Sequence, residues 1–244
     1  MSAPSPAGLR FTREAFLRSE RTLLSQGRWP KATVWKARVH GVDWIVKDAR
    51  SRDWLTRNLV GALLVRREAR ALQRLDGLPC VPPNGFAIDR HALAYRFTPG
   101  RPMADLPDAE QTTELFLALE RAMQAIHARR VIHLDVRNRE NILVTDAGAV
   151  LLIDFESNLD TARLPDRLGR ALERFDLGGA YKHWARVHPE TLGDERREVL
   201  EWTARRRRLW PFRGVWHYTR AARRHASRLF GQGRARTPGG GDTS

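Results

Sequence analysis

The sequence predicts an α+β chain of two lobes, in which strands dominate the first part and helices the second. Residues 32–48 alternate polar and apolar positions and are rich in Val, Ile and Trp, which favours strands. Residues 109–130 carry the periodicity of an amphipathic helix. Between them, the stretch PGRPMADLPD at 99–108 has the composition of a linker. A cleft between two such lobes is the expected place for a ligand.

The first lobe is predicted from turn and cap residues. A helix is expected from the cap Thr12 to the stop Gly27. The turn HGVD then divides residues 32–48 into a hairpin of strands at 32–39 and 42–48. One long amphipathic helix or two follow, capped by Asp53 and stopped by Gly77, and two short strands are expected at 85–89 and 91–97.

The second lobe begins with the helix at 109–130. NILV, a TDAG turn and VLLID predict a small hairpin after it, and the chain is expected to be helical from residue 161 onward. The division of the chain is an N-terminal extension with its helix, a first lobe, a second lobe, and a basic helix with a flexible tail: 1–27, 28–98, 99–204 and 205–244.

Composition limits the class of protein. The 244 residues are enough for one large domain or two small lobes, and 42% hydrophobic residues are ordinary for a chain with a core. The one cysteine, Cys80, excludes an intrachain disulfide, fits a reducing compartment and is expected to be a small buried apolar residue. The start of the chain has no apolar segment typical of a secretory signal, so a cytoplasmic protein is expected.

An acid, an amide and a second acid surround a short predicted strand. Asp135 and Asn141 lie in HLDVRNRENILV, and Asp154 lies in LLIDFES. Carboxylate and amide oxygens suit Mg²⁺, and a carboxylate can orient an acceptor hydroxyl and take its proton. This set therefore suits phosphoryl transfer from a nucleotide.

These motifs resemble those of protein-kinase-like phosphotransferases, over roughly residues 28–180. More narrowly, IHLDVRNRENILV with LLIDFES is similar to small bacterial kinases of the RIO-like and lipopolysaccharide-core-kinase type. The resemblance implies a two-lobed kinase-like fold, with a β-rich first lobe and a reduced, mainly helical second lobe. It also implies ATP and Mg²⁺ as cofactors, Asp135 as the catalytic acid that faces the acceptor, and Asn141 and Asp154 as metal ligands.

The resemblance extends into the first lobe. WIVK implies that Lys47 binds phosphate, in a pair with Glu68 on the following helix. Apolar positions that sandwich the adenine correspond to Val34, Ile45 and Leu143. His133 and Phe155 are expected to be structural and to pack beneath the helix that carries Glu68, with Leu72 one turn on.

The chain departs from the family pattern in four places. The Gly-rich loop is nearly absent, and Lys31 is expected to contact phosphate where glycine amides normally would. The spacing from Asp135 to Asn141 is one residue longer than in ordinary protein kinases. DFE at 154–156 replaces DFG, and no APE segment follows. The last two departures make a sugar or lipid-linked hydroxyl as plausible an acceptor as a protein.

Two further polar residues, Asp176 and His127, lie near these motifs in the sequence. Asp176 has two interpretations: it anchors the catalytic loop by accepting backbone N–H bonds, as the resemblance implies, or it is the N-cap of a helix that begins at LGGAYKHW. His127 is expected at the surface.

The C-terminal segment is strongly basic. Of a net charge of +15, about two thirds comes from eleven arginines between Trp202 and the end, against one acid, Asp242. A helix at 205–230 with arginines opposite an apolar face and with aromatic residues near its start suits the inner face of an anionic membrane. A solvated last helix packed on the second lobe is the other interpretation. No nucleic-acid motif appears, so nucleic acid is not an expected partner, and the oligomeric state is not predicted.

The function predicted from these observations is an ATP-dependent kinase that moves the γ-phosphate to a hydroxyl of a protein or of a sugar or lipopolysaccharide-type acceptor. Two alternatives stay open. One is a weakly active pseudokinase or nucleotide-sensing module at an anionic membrane. The other is a small-molecule kinase of the aminoglycoside or choline type.

Overall fold

A computed structural model describes residues 10–26, 32–49 and 61–206. Its helices are α1 (Arg13–Arg18), α2 (Ala62–Leu75), α3 (Thr113–Ala128), α4 (Asp166–Val187) and α5 (Asp194–Arg206). Its strands are β1 (Glu20–Ser25), β2 (Thr33–Val39), β3 (Val42–Asp48), β4 (Phe86–Asp89), β5 (Ala92–Arg96), β6 (Arg101–Pro102), β7 (Val131–Ile132), β8 (Ile142–Val144), β9 (Val150–Leu152) and β10 (Leu159–Asp160). Short 3₁₀ turns occupy Met103–Asp105, Asp108–Glu110, Arg139–Asn141 and Phe155–Ser157.

The first lobe is an antiparallel sheet in the order β1-β2-β3-β5-β4. Side chains alternate across a strand, and β3 shows the consequence. Trp44 and Val46 face one apolar cluster, while Ile45 packs into the other, the main core of the protein. Lys47 has the parity of Ile45 and therefore faces the same side of the sheet.

The outer cluster is closed by the segment around α1. Phe11 packs edge-to-face on Trp44 and on Phe86, with ring centroids 5.2 Å apart in both pairs. Buried Arg13 joins this segment to the sheet, because its guanidinium pairs with Asp48 at 2.8 Å and with Asp89 at 2.5 Å.

The inner face of the sheet is covered by α2. This helix buries Val65, Ala69, Leu72 and Leu75, and a fully buried leucine contributes about 2 kcal/mol. Gly85 allows the close approach that this packing needs, because a Cβ added there would lie 2.5 Å from the Cβ of Leu72.

The second lobe is built on the amphipathic helix α3, which α4 and α5 cover. A cap at Thr112 begins α3, since its hydroxyl accepts from the N–H of Leu115 at 3.3 Å. The crossing of α4 and α5 needs a glycine, because a Cβ on Gly178 would lie 2.2 Å from the hydroxyl of Thr203. A small sheet, β6-β8-β9, lies where the linker enters this lobe, and a second pairing joins β7 to β10.

The two-lobed architecture is confirmed, as are the hairpin of β2 and β3 and that of β8 and β9. The predicted helix from Thr12 to Gly27 is wrong beyond Arg18. The chain turns at Ser19, and residues 20–25 form β1, the edge strand of the first lobe. Pairing with β2 outweighs the helical propensity of ERTLLS, which is weak on its own.

Other expectations are confirmed or fall outside the described residues. Cys80 is buried, as predicted. Lys31, the Asp53 cap and almost all of the basic segment at 205–230 lie outside the described residues. In the described part of the chain, every helix is too short or too polar to cross a bilayer.

Candidate active site between the lobes

The apolar side of the cleft lies under the linker between the lobes. Its lining includes Ile45 and Leu143, two of the predicted adenine contacts, together with Tyr95, Phe97 and Leu151. The third predicted contact, Val34, lies across the hairpin from Lys47 and packs half-buried against the main core. It is not among the described residues that line this pocket.

Lys47 lies at the centre of a charged cluster. Its ammonium donates to both carboxylate oxygens of Glu68, at 2.7 and 2.9 Å, and to Asp154 at 2.8 Å. The carboxylate of Glu156 lies 3.6 Å away. The predicted Lys47–Glu68 pair is therefore present, and it also joins β3 of the first lobe to the DFE segment of the second.

The pKa values reflect this crowding of acids. Burial lowers the pKa of Lys47, but the charges of Asp154, Glu68 and Glu156 outweigh it and raise that pKa well above its usual value. Burial raises the pKa of Glu68 to about 7; Lys47 opposes this, and Asp154 and Glu156 add to it. Among the described residues, Lys47 is thus the cation that these three acids share, an arrangement that can accept a further cation.

Three acids lie close enough to share such an ion. Oxygens of Glu68, Asp154 and Glu156 lie within 4.8 Å of one another. The resemblance predicts Asp154 as a metal ligand, whereas position 156 stands out in the sequence only as a departure from DFG. An acid two residues after Asp154 was the available signal for Glu156.

The loop from His133 to Asn141, which the resemblance identifies as the catalytic loop, holds Asp135 beside Asn141. The amide of Asn141 donates to the Asp135 carboxylate at 2.9 Å and to its backbone carbonyl at 3.1 Å. The amide oxygen of Asn141 accepts from Asn138 at 3.2 Å. The backbone carbonyl of Asn141 accepts from the N–H of Ile153 at 2.9 Å, which places this loop next to Asp154.

A neutral histidine connects the same two segments. His133 Nε2 donates to the carbonyl of Ile153 at 3.0 Å, and its Nδ1 accepts from the N–H of Asp135 at 3.3 Å. Only the neutral ring can donate and accept in this way. Burial lowers the pKa of His133, which agrees with that state. Its ring packs on Phe155 at 4.7 Å between centroids, and both side chains are fully buried, as predicted.

Asp176 anchors the loop. Its two oxygens accept from the backbone N–H groups of His133 and Leu134, at 2.8 and 2.9 Å. These bonds hold Leu134 at φ 64°, a strained conformation for a branched side chain. The alternative of an N-cap is wrong, because α4 begins ten residues earlier, at Asp166.

His127 is also part of this anchor. The expectation that it lies at the surface is wrong, because it is 6% exposed and its Nε2 lies 3.0 Å from Asp176 Oδ2, the oxygen that also accepts from His133. A histidine near the end of a predicted helix gave no sign of which partner it would meet.

The DFE segment is tied to α2. Asp154 adopts a left-handed conformation with φ 64°, and a 3₁₀ turn follows it. Asn158 donates to the carbonyl of Phe155 at 2.6 Å, and Arg67 of α2 donates to the carbonyls of Ser157 and Asn158. The segment is thus held by hydrogen bonds on both sides of Phe155.

Comparisons with known proteins place the chain in a family. Residues 42–169, more than half of the chain, match the model of the RIO domain. The chain therefore belongs to the RIO domain family, and the predicted RIO-like relationship is confirmed.

A solved structure supports the fold. The Rio2 kinase–ADP/Mg²⁺-phosphoaspartate complex from Chaetomium thermophilum is similar, with a TM-score of 0.53 and 16% identity. The match covers 68% of this chain and 56% of that one, which confirms the two-lobed kinase-like fold.

One relative has a described role. The chain is 29% identical over 174 residues to a probable SapB synthase of Streptomyces coelicolor. The match covers 56% of this chain and 18% of the relative, so this chain spans about a fifth of that protein.

Proposed function

We propose that the protein is an ATP- and Mg²⁺-dependent phosphotransferase that moves the γ-phosphate to a hydroxyl. One observation carries the proposal: the ammonium of Lys47 binds Glu68 and Asp154 at once, and Asp154 lies beside the loop that holds Asp135 and Asn141. Membership of the RIO domain family supports an ATP-dependent kinase. The Rio2 neighbour, described with ADP and Mg²⁺, supports these cofactors.

Lys47 would bind phosphate oxygens of the nucleotide. An ammonium has three donors, and in this structure carboxylate oxygens of Glu68 and Asp154 accept all three. When Asp154 turns to a metal ion, one donor becomes available for phosphate. Glu68 keeps the ammonium in place during this exchange.

Asp154 and Asn141 would hold Mg²⁺, and the donor set fits that ion. Both offer the hard oxygens that Mg²⁺ prefers, and the acidic surplus around Lys47 attracts a divalent cation. Bound Mg²⁺ would neutralise charge on the phosphates of the nucleotide.

Asp135 would orient the acceptor. Asn141 fixes one of its oxygens, and the Asp176 anchor fixes the backbone just before it. A carboxylate held in this way can accept a hydrogen bond from an acceptor hydroxyl and take its proton as phosphate is transferred.

A second candidate is a nucleotide-sensing pseudokinase. It is favoured by Glu156, which stands where the DFG motif of protein kinases has glycine and adds a third acid beside Lys47. This candidate predicts metal-dependent nucleotide binding without turnover.

The basic segment at 205–230 gives a separate proposal, peripheral binding to an anionic membrane. It rests on sequence alone, since attraction of about 1 kcal/mol for each arginine near such a surface would add up. Substitution of Arg220, Arg223, Arg224 and Arg228 by Gln should abolish co-sedimentation with phosphatidylserine vesicles. Equal sedimentation of this variant and the unchanged protein would contradict the proposal.

Calorimetry of ATP binding tests the main proposal. ATP should bind only with Mg²⁺, and Asp154→Asn should weaken binding at least about tenfold, as loss of a charged ligand does. Asp160→Asn is the matched control, because this exposed acid pairs with Arg74 near the same segment.

ADP release measured in parallel separates the two candidates. Slow release by the unchanged protein supports an active enzyme, whereas binding without release supports the pseudokinase. No binding at saturating Mg²⁺–ATP would contradict both.

A further inference from the structure

We propose that the acceptor carries a negative charge close to its reacting hydroxyl, and that Arg139, with Arg137 and Lys182, binds this charge. The inference rests on the proposed function and adds the chemical class of the acceptor. It concerns residues 136–139 of the catalytic loop and the part of α4 that they contact, which the proposed mechanism does not use.

Arg137 and Arg139 lie between Asp135 and Asn141. Helix α4 contacts this part of the loop in two places. His183 donates from Nε2 to the carbonyl of Val136 at 3.1 Å. The stem of Arg137 crosses α4 at Gly179, where an added Cβ would lie 3.0 Å from its Cγ. Both contacts hold the loop against the part of α4 that carries Lys182.

Arg139, Arg137 and Lys182 all lie close enough to His183 to act on its pKa. Burial lowers the pKa of His183 to about 4; its bond to Val136 opposes this, and the positive charges of Arg139, Arg137 and Lys182 add to the lowering. Three cations from two elements therefore lie near one point beside the catalytic loop.

Arg139 has acids near it but pairs with none of the described ones. Asp105 and Asp108 act on Arg139, but Asp108 is already bound by both terminal nitrogens of Arg186, at 2.8 and 3.1 Å. Arg139 is half-buried, and its guanidinium forms no hydrogen bond or ion pair with any described residue. A guanidinium in this state suits an anion held in two hydrogen bonds.

The chain beyond Asp154 indicates a small acceptor. Only residues 155–165 separate Asp154 from α4. Ser157 and Asn158 are bonded to Arg67 of α2, and residues 159–160 pair with β7. The backbone N–H of Thr161 donates to the carbonyl of Arg130 at 2.9 Å. Little of this connection is left to hold an extended peptide.

The acceptor class that follows is a small hydroxyl compound with a phosphate or carboxylate group, such as a sugar phosphate. The charge disfavours the cationic acceptors of aminoglycoside and choline kinases, because like charges brought together would repel.

A charge series of sugars tests this inference. Binding of glucosamine, glucose and glucose 6-phosphate is measured by calorimetry with Mg²⁺ and AMP-PNP bound, so that the nucleotide fills its own phosphate positions. Glucose 6-phosphate should bind at least about tenfold more tightly than glucose, and glucosamine more weakly than either.

Variants assign the effect to the loop. Arg139→Gln should remove about tenfold of the preference for glucose 6-phosphate and leave AMP-PNP affinity in place. Arg139→Lys should keep only part of the preference, because an ammonium keeps the charge but cannot form the paired hydrogen bonds of a guanidinium. Arg170→Gln changes an exposed arginine of α4 and is the control that should change neither quantity.

Each outcome decides a different statement. Failure of AMP-PNP to bind the unchanged protein contradicts the proposed function itself. If AMP-PNP binds, three results contradict only the present inference. In these, glucose 6-phosphate fails to bind, binds no better than glucose, or binds equally well to Arg139→Gln. Arg139-dependent binding of an Asp-flanked serine peptide, without binding of the sugar phosphate, overturns the small acceptor.

Discussion

The two sides of the cleft are held by different interactions. On the phosphate side, Lys47 and three carboxylates form a cluster of full charges. On the catalytic-loop side, the ring of His133 is neutral and the loop is held through backbone amides and carbonyls. The carboxylate of Asp176 takes part in this anchor by accepting from two backbone N–H groups.

This difference separates two tasks. In the proposed mechanism the charged side exchanges partners, because the ammonium of Lys47 passes from a carboxylate to a phosphate. The loop side fixes direction, because hydrogen bonds to the backbone determine where Asp135 points. Charge changes should therefore act mainly on the first side, and changes of hydrogen-bond geometry on the second.

The largest expected effect is on turnover. Asp135→Ala should lower Mg²⁺–ATP-dependent phosphoryl transfer by about 10²-fold to 10⁴-fold, because the acceptor loses its orienting base. Nucleotide affinity, measured by calorimetry, should be preserved, in contrast to Asp154→Asn. Full activity of Asp135→Ala would end the assignment of Asp135 to the acceptor.

Removal of Lys47 should produce the largest loss of stability. Lys47→Met leaves three acids without their cation and should lower the free energy of unfolding by about 3–5 kcal/mol, measured in urea. Lys36→Met is the control on the neighbouring strand, since its half-exposed pair with Asp43 contributes at most about 1 kcal/mol. Similar losses in both variants would mean that Lys47 stabilises the buried acids no more than Lys36 stabilises Asp43 at the surface.

The loop side should respond to acid. The pKa of His183 falls from 6.5 to about 4 on folding, so the unfolded chain binds more protons between these values. Its contribution to stability is complete above pH 6.5 and is lost as the pH falls through about 4. The total is about 3 kcal/mol.

His183→Gln should make the fall in stability between pH 6.5 and 4 shallower, as measured by urea unfolding at each pH. Some slope should remain, because burial also lowers the pKa of His133. An unchanged slope would show that His183 does not stay neutral in the folded protein.

A smaller effect is expected at the loop anchor. Asp176→Asn places an amide where two backbone N–H groups need acceptors and should lower the free energy of unfolding by about 2 kcal/mol. Asp166→Asn, at the exposed start of the same helix, should lower it by less than about 1 kcal/mol. Equal values would remove the contrast between a buried anchor and a surface pair.

The sequence predicted those features that depend on short-range pattern or on motif order. The hairpin of β2 and β3 follows from alternation around a turn. Lys47 and Glu68 meet because the motif order placed one on a strand and the other on the helix that covers it.

Features that depend on distant contacts were missed. Residues 20–25 have helical periodicity, and only the neighbouring strand makes them β1. His127 is buried because Asp176, far along the chain, reaches it. Glu156 stands out in the sequence only as a departure from DFG, and Arg139 is marked by no pattern. The role of each depends on the charges that folding brings near it.

The hydrogen bonds around Phe155 also bear on the choice of inhibitor chemistry. A compound that displaces this ring would have to break the bond of Asn158 to its carbonyl and loosen the segment that Arg67 holds. It would also vacate a site in which Phe155 is fully buried. A compound that contacts Ile45 and Leu143 in the apolar pocket leaves these bonds in place, so screening should begin with compounds of that kind.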